Sequence, residues 1–309
     1  MQQGNTNSLF ESPVNFPDFS ARERLSTLVG IDEQKSRLAK ILGLLVNPSG
    51  LERWAKRHHP SADNLIKRVL RRPPLVVLAG DVGSGKTELA ETIGDAVARQ
   101  ENIDVTLLPL SLSSRGQGRV GEMTQLLSSA FEHTLKEANK LKGVNGSSRG
   151  GLILLVDEAD ALAQSRENAQ MHHEDRAGVN AFIRGIDRLA NAHVPAAVIM
   201  CTNRLGALDP AVKRRAADIL TFTRPNDDQR RAVLDMAFSG FGMSASELEQ
   251  LVSVTGPTSG RDYGFTFSDL MQRLVPSIVL DAYPQRAVSA MRALEVANRT
   301  QPTPPFRES

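Results

Sequence analysis

The chain has 309 residues, 40% of them hydrophobic, and a formal net charge of +2 at pH 7. At ~150 residues per domain this length suggests roughly two domains, and the nearly balanced charge does not require nucleic acid or an anionic membrane as a partner. Cys201 is the single cysteine, which excludes an internal disulfide and favours a reducing compartment. Because no apolar run approaches the ~18 residues of a membrane span and the polar N-terminus lacks a signal-peptide core, we expect a soluble cytoplasmic protein.

The first part of the chain combines an arm, a helix and a basic stretch. A polar start with two prolines predicts a flexible N-terminal arm over residues 1–24. After Leu28-Val29-Gly30-Ile31, Asp32 can cap a helix whose apolar residues have helical spacing. The stretch 47–74 is irregular and basic, with its lysines and arginines between positions 53 and 72. We interpret it as solvated surface with Trp54 beneath it, in preference to a nucleic-acid patch.

The phosphate-binding P-loop pattern G-x-x-x-x-G-K-T occurs at Gly80-Asp81-Val82-Gly83-Ser84-Gly85-Lys86-Thr87. The apolar run 75–79 predicts a buried strand before it, and Glu88 begins a helical pattern after it. Glycines let backbone N–H groups turn around phosphate oxygens, and the helix N-terminus adds the positive end of its dipole. We expect Lys86 to reach the terminal phosphates and the Thr87 hydroxyl to bind Mg²⁺.

Two carboxylates follow a second long apolar run. A strand over 103–108 and a glycine-rich loop over 111–122 come first. The run 152–156 then predicts a buried strand that ends at Asp157 and Glu158. Asp157 would lie at the carboxyl edge of the sheet, where ligands of open α/β sheets bind, and would hold Mg²⁺ directly or through water. Glu158 is placed to activate the attacking water.

Asn203 follows the next predicted strand, which covers 196–201. It therefore falls on the same sheet edge as Asp157, where its amide can orient water against a γ-phosphate. A final short strand is predicted over 219–222. These segments predict an α/β fold, a doubly wound layer with five parallel strands.

Only helical patterns follow Arg224. They predict a small helical domain over 225–298 and a disordered, proline-rich tail over 299–309. The apparent helices cover about 227–238, 244–254, 267–281 and 284–297.

Four features follow one another along the chain: the P-loop, Asp157-Glu158, Asn203 and the Arg214-Arg215 pair. Their order and spacing are those of the AAA+ ATPases, and the chain resembles that family between its arm and its tail. The resemblance implies a large AAA+ ATPase domain over 25–224 and a helical AAA+ lid over 225–298. It also implies ATP and Mg²⁺ as cofactors, ATP hydrolysis as the activity, and a homo-hexameric ring.

The same resemblance implies roles for further residues. Asn203 is similar to the sensor-1 residue, and either Arg214 or Arg215 to the arginine finger that reaches into the neighbouring subunit's site. The segment with Val29 and Gly30 resembles the part of the family that packs near adenine.

A sensor-2 arginine is harder to assign. Arg261, in Ser259-Gly260-Arg261, is one candidate. Alignment on Phe267-Ser268-Asp269 instead places Leu270 at that position and leaves no sensor 2.

Within AAA+ proteins, two segments resemble the pachytene-checkpoint type, which remodels HORMA-domain proteins. Arg214-Arg215-Ala216-Ala217-Asp218-Ile219 lacks the longer R-P-G-R-F-D run, and Arg273-Leu274-Val275-Pro276 places a proline inside a lid helix. The resemblance implies a HORMA-domain protein as substrate, bound in turn to a nucleotidyltransferase, and a bacterial role in anti-phage nucleotide signalling.

The loop after the second predicted strand departs from the pattern of related unfoldases. Their aromatic-hydrophobic-Gly pore motif is replaced by Arg119-Val120-Gly121. We expect Arg115, Arg119 and Val120 to face the substrate, with positive charge that suits an acidic or polar tail.

Two other functions fit parts of the sequence. A DNA-linked AAA+ protein, such as a loader or replication factor, would use the basic stretch 53–72 with Arg115 and Arg119, but no helix-turn-helix or zinc motif accompanies them. A scaffold that binds ATP without hydrolysing it would not need Lys86, Asp157 and Glu158 together. An ATP-driven protein remodeller is the favoured hypothesis, with no membrane and no nucleic acid as partner.

Overall fold

The computed structural model describes residues 9–112, 121–143, 147–163, 173–204, 206 and 208–305. Within these residues the fold is built on a six-stranded sheet with the order β1-β3-β4-β5-β2-β6. The strands are β1 Val14–Phe16, β2 Leu75–Gly80, β3 Val105–Ser111, β4 Gly151–Asp157, β5 Ala196–Thr202 and β6 Ala216–Phe222. Strand β4 pairs in parallel with β3 and β5, and β5 pairs in parallel with β2. The predicted α/β class is confirmed, and its five strands are joined by a sixth.

The sixth strand, β1, differs from the arm predicted over residues 1–24. Val14–Phe16 pairs antiparallel with β3, with Val14 opposite Leu107 and Phe16 opposite Val105. The Phe16 ring is 2% exposed, so burial of this ring accompanies the pairing. Helix α1, Phe19–Thr27, follows directly. A three-residue strand is too short to produce a periodic signal in the sequence.

Apolar runs explain why the central strands are buried. Every residue of β2 and β5 is buried, as is every residue of β4 before Asp157. Helices cover strands with such continuous apolar sequence on both faces. Besides α1, the described helices that precede β6 in the chain are α2 Asp32–Val46, α3 Pro48–His58, α4 Asp63–Leu70, α5 Lys86–Glu101, α6 Glu122–Lys140, α7 Asp160–Ala163, α8 His173–Ala192 and α9 Pro210–Lys213.

The basic stretch 53–72 is helical where the sequence suggested irregular structure. Residues 53–58 lie in α3 and residues 63–70 lie in α4, and the lysines and arginines of the stretch are exposed. Trp54 is 49% exposed rather than tucked under the surface. Its ring lies 5.9 Å from the His58 ring and 5.0 Å from the His59 ring, measured between centroids.

The chain divides into two compact units. The first comprises the described residues of Met1–Ser26, Glu33–Ala79 and Thr87–Thr221, and the second those of Thr27–Asp32, Gly80–Lys86 and Phe222–Ser309. The second unit therefore contains most of the P-loop together with the C-terminal helices. These helices are α10 Asp227–Ala237, α11 Ala245–Thr255, a π-helical segment Asp269–Leu274, α12 Val275–Ala282 and α13 Ala290–Arg299.

Local sequence sets the ends of the second unit's helices. Capping boxes begin two of them, Asn226 with Gln229 at α10 and Ser244 with Glu247 at α11. The predicted helix 267–281 is split, because Pro276 in the first turn of α12 has no N–H to give to the preceding turn. The π-helical segment occupies that turn.

The predicted disordered tail also differs in part from the structure. Thr303 donates from its backbone N to Asp269 Oδ2 at 3.0 Å and from its hydroxyl to Asp269 Oδ1 at 2.7 Å. Pro302 is buried. In the described part of the chain, no helix combines the length and the apolar character that crossing a membrane requires.

Candidate nucleotide site

In the first unit, the carboxyl ends of the neighbouring strands β2, β5 and β4 lie at one edge of the sheet, close to predicted site residues. Ala79, the residue before the P-loop, is paired with Thr202 at the end of β5, and Val156 is paired with Met200. Asp157 and Asn203 therefore follow adjacent parallel strands at one edge of the sheet. This is the edge at which open α/β sheets bind ligands.

The P-loop has the backbone and charge expected of a phosphate cradle. Gly83 and Gly85 have φ of +69° and +91°, in the left-handed region that favours glycine. A Cβ on Gly83 would also lie 2.8 Å from Thr266 Oγ1. Lys86 is 7% exposed, and its Nζ donates to Gly80 O at 3.0 Å and to Asp81 O at 2.8 Å. Left-handed glycines, a buried ammonium group and a helix N-terminus together fit a phosphate group.

Thr87 and Glu88 lie in the first turn of helix α5 and belong to the first unit. Thr87 is exposed, which suits a hydroxyl that takes part in metal binding. Glu88 accepts from Arg24 Nε at 2.7 Å and from Arg24 Nη2 at 3.0 Å, and Glu91 accepts a third hydrogen bond from the same guanidinium. These hydrogen bonds, to Glu88 first and then Glu91, raise the pKa of Arg24. The structure thus ties the Glu88 carboxylate to α1.

Glu158 has a strained backbone and a defined partner. Its φ of +52° lies in a region that a non-glycine residue seldom adopts. Its N–H donates to Asp157 Oδ1 at 2.8 Å, and Ser111 Oγ donates to Glu158 Oε2 at 3.0 Å. Ser111 reaches Glu158 because the β3–β4 register places Ser111 opposite Asp157. The sequence analysis did not indicate this contact between Ser111 and Glu158, since the predicted strand ended at Leu108.

Asn203 is held by a second residue that the sequence analysis missed, Asp160. Asp160 Oδ1 accepts from Asn203 N at 2.7 Å, and Asp160 Oδ2 accepts from Asn203 Nδ2 at 3.2 Å. Thr202 Oγ1 also donates to Asp160 Oδ1 at 2.8 Å. These bonds orient the Asn203 amide. Asp160 is the third carboxylate of the acidic run 157–160, and the sequence-based prediction gave a role only to the first two.

The structure separates the two finger candidates. Asp209 caps α9 by accepting from Ala211 N at 2.7 Å, and Arg214 follows the helix. Arg215 donates through Nε and Nη2 to the two carboxylate oxygens of Asp187, at 2.7 and 2.9 Å. These hydrogen bonds to Asp187 raise the pKa of Arg215. Arg214 is exposed, and the described residues give its side chain no hydrogen bond or ion pair.

In the second unit, the segment with Val29 and Gly30 adjoins the P-loop. A Cβ on Gly85 would lie 3.8 Å from Ile31 Cδ1 and 3.9 Å from Leu28 Cδ2. Gly30 O accepts a short hydrogen bond from Gln229 Nε2 of α10. The segment therefore lies beside both Gly85 of the P-loop and α10.

Arg261 is held within the loop before the π-helical segment. Its Nη2 donates to Gly256 O at 2.7 Å, and its guanidinium carbon lies 5.4 Å from the Phe265 ring centroid. Ser268 N donates to Gly83 O at 3.0 Å, so the P-loop is contacted by the segment that precedes Leu270. The Leu270 side chain is fully buried in the core of the second unit. The predicted substrate-facing residues Arg115, Arg119 and Val120 lie outside the described residues.

Fold and site together define a P-loop nucleotide-binding protein with a helical second unit. The chain belongs to the AAA family, the ATPase family associated with various cellular activities, whose profile matches residues 76–224. It is 68% identical over 298 residues to CD-NTase-associated protein 6 of Escherichia coli (strain MS 115-1), with 96% of each chain covered.

Two solved structures are similar to nearly the whole chain. One is a chain of the E. coli MS115-1 HORMA:CdnC:Trip13 complex, with a TM-score of 0.88 and 66% identity over 96% of this chain and 97% of that one. The other is Rhizobiales Trip13, with a TM-score of 0.76 and 59% identity over 96% of this chain and 100% of that one. The family resemblance noted in the sequence is therefore confirmed.

Proposed function

We propose that this protein is a cytoplasmic ATP-driven remodeller that opens or disassembles closed complexes of a HORMA-domain protein bound to a nucleotidyltransferase. The observation that carries the proposal is the 66% identity to a chain of the HORMA:CdnC:Trip13 complex, together with an intact set of hydrolytic residues. In a cell, this activity would restrain anti-phage nucleotide signalling.

Lys86, with the glycines of the P-loop, would bind the phosphates of ATP. Thr87 and Asp157 would hold Mg²⁺, which when bound neutralises charge that develops on the phosphates. The segment with Val29 and Gly30 would contact adenine. Arg261 remains a candidate sensor 2 only through its sequence position, since its guanidinium is bound to Gly256 O.

Hydrolysis would depend on Glu158 and Asn203. Glu158 would take the proton of the attacking water, held for that task by Ser111. Asn203 would orient the same water through its amide, held in turn by Asp160. The strained Glu158 backbone fits such a role, because unfavourable φ values persist where the surrounding structure requires them.

Arg214 would be the finger that completes a neighbouring subunit's site in a homo-hexamer. Its side chain is exposed, whereas Arg215 is engaged with Asp187. A head-to-tail interface that closes on itself produces a ring. Arg115, Arg119 and Val120 would then face the centre of that ring and grip an acidic or polar segment of the substrate.

The test uses the HORMA protein and CdnC of the E. coli MS115-1 complex, each carrying one fluorophore. We expect the wild-type protein with ATP and Mg²⁺ to separate the pair. Glu158→Gln keeps the size and polarity of the side chain but cannot take a proton, so it should bind ATP with turnover lowered ~10²-fold or more and release almost nothing. Equal release by the Glu158→Gln protein would make it a binding competitor rather than a motor.

Among the described residues, the exposed basic helices α3 and α4 favour a DNA-linked function instead. That function would require an affinity for DNA that falls steeply with salt. The same preparation can be titrated with duplex DNA at low and high salt, where we expect weak binding.

A further inference from the structure

Arg224 is a partly buried cation that contacts the P-loop from the start of the C-terminal segment. Both groups belong to the second unit. Arg224 Nε donates to Asp81 Oδ2 at 2.6 Å, and Nη1 donates to Gly264 O at 2.7 Å. Its guanidinium carbon lies 5.0 Å from the Tyr263 ring centroid. The side chains of Arg224 and Asp81 are only 13% and 17% exposed, so this is a largely desolvated ion pair.

Asp81 is an acidic residue inside the P-loop. It is the first variable residue of the P-loop, and its carboxylate would share the loop with the polyanion that the loop is built to bind. Its other oxygen, Oδ1, accepts from Val82 N at 2.8 Å, which ties the carboxylate to the loop backbone. The negative charge of Asp81 is thus held where it would oppose phosphate binding unless a cation compensates it.

We propose that Arg224 is a positioning residue for the nucleotide: it neutralises Asp81 and holds its carboxylate in place, so that the P-loop can accept the charge of a triphosphate. This inference rests on the proposed nucleotide site. Arg224 acts through Asp81 and does not itself touch the phosphates.

The desolvated setting makes this compensation effective. Charges interact more strongly in the protein interior than in water, and removing one partner of a buried pair leaves the other charge exposed to its neighbours. One guanidinium nitrogen, Arg224 Nη2, is buried and has no hydrogen-bond partner among the described residues. The group therefore has an unused donor, and a direct bond to a phosphate is the rival that the experiment must separate.

The experiment measures equilibrium dissociation constants for ATP and ADP in four proteins: wild type, Arg224→Ala, Asp81→Asn and the double variant. Arg224→Ala should weaken ATP binding about tenfold or more, and ADP binding less, because ADP carries less charge. Asp81→Asn alone should bind ATP at least as well as wild type. The double variant should return to within about threefold of wild type, because the opposing charge is gone. Arg224→Lys, which keeps the positive charge, should also recover most of the affinity.

Arg292→Ala serves as the matched control. Arg292 donates to both carboxylate oxygens of Asp281 in the same unit, at 2.8 and 3.2 Å, so this variant also removes an arginine–carboxylate pair. We expect its ATP affinity to equal that of wild type, and thermal unfolding of every variant shows whether it folds.

Two results would overturn the inference. If Arg224→Ala binds ATP normally, Arg224 has no role in nucleotide binding. If the double variant stays as weak as Arg224→Ala, the arginine acts by direct contact or by packing, not through Asp81. Failure of the nucleotide site on which this inference rests looks different, since the wild-type protein would then bind no ATP and Lys86→Ala would change nothing. Failure of the remodelling function is different again, because it would appear in the partner-release experiment and leave these dissociation constants unaffected.

Discussion

At the scale of single residues, the site depends on side chains that hold other side chains. Ser111 binds Glu158, and Asp160 binds Asn203. Neither Ser111 nor Asp160 was assigned a role from the motifs that mark the site in the sequence. Their contribution is orientation, and its loss should affect turnover rather than nucleotide affinity.

Ser111→Ala tests this expectation. The change removes one hydrogen bond to the Glu158 carboxylate, an interaction whose loss corresponds to about a tenfold fall in kcat. The ATP dissociation constant should stay at the wild-type value, because Ser111 has no predicted contact with nucleotide. Ser111→Thr, which keeps the hydroxyl, should recover much of the rate.

Ser128→Ala is the control for this series. Ser128 is an exposed residue of α6 whose hydroxyl donates only to Thr124 O within the described residues. It should leave both constants unchanged. An unchanged kcat in Ser111→Ala would show that Glu158 does not need this hydrogen bond.

At the scale of elements, the π-helical segment begins at a buried carboxylate that organises its surroundings. Asp269 is 1% exposed. It accepts from Thr266 N and Thr303 N, both at 3.0 Å to Oδ2, and Arg273 Nη1 donates to Oδ1 at 3.0 Å. Thr266 in turn lies against Gly83 of the P-loop. Asp269 thus connects the C-terminal tail to the segment that contacts the P-loop.

The ionisation of Asp269 predicts a pH dependence. Burial acts to raise its pKa, but hydrogen bonds from Thr266 and Thr303 outweigh burial and lower the pKa below the ordinary value. The stabilisation is therefore present above an unfolded pKa of about 3.9 and is lost as pH falls through the lower folded value. We expect the free energy of unfolding to decline below about pH 4, in part through this group.

Asp269→Asn should lower stability at pH 7 by about 1–3 kcal/mol and weaken the acid dependence. An amide presents one oxygen and one nitrogen, so it cannot accept every hydrogen bond that both carboxylate oxygens accept. Urea unfolding followed by circular dichroism measures the effect, while Trp54 fluorescence follows the first unit separately. Asp235→Asn, an exposed change in α10, is the control. An unaltered unfolding curve for Asp269→Asn would contradict the assignment.

At the scale of the whole molecule, the proposed catalysis depends on more than one copy of the chain. Arg214→Ala should lower ATP turnover ~10³-fold, because an arginine finger stabilises charge that develops on the γ-phosphate. Arg215→Ala should instead act mainly on stability, since it breaks the pair with Asp187. Comparing turnover and thermal unfolding of the two variants separates these effects.

Mixing two inactive proteins tests whether the finger acts across a subunit boundary. Arg214→Ala subunits keep Glu158, and Glu158→Gln subunits keep Arg214. Junctions that join an intact Glu158 to a neighbour's intact Arg214 should regain part of the ATPase activity. Native mass spectrometry of isotope-labelled subunits shows whether mixed rings form. Mixed rings without activity would mean that Arg214 does not act in trans.

The sequence by itself determined the α/β class, the P-loop and the family resemblance. These features are local or nearly so: the run 75–79 needs only its own composition to predict a buried strand, and the P-loop is contiguous. Asp157 and Asn203 could be assigned to one sheet edge because parallel strands align their carboxyl ends. The identity to relatives then extended the prediction to the whole chain.

Only the tertiary structure decided which side chains hold the site. Ser111 and Glu158 are 47 residues apart, and their contact depends on the register of two strands. Asp81 and Arg224 are 143 residues apart, and they meet only because the folded chain brings distant segments together. The pair between Arg215 and Asp187, 28 residues earlier, is equally non-local, and it is the reason that Arg214 is the proposed finger. Sequence periodicity reports which face of an element is buried, but not the distant partner that a polar group finds there.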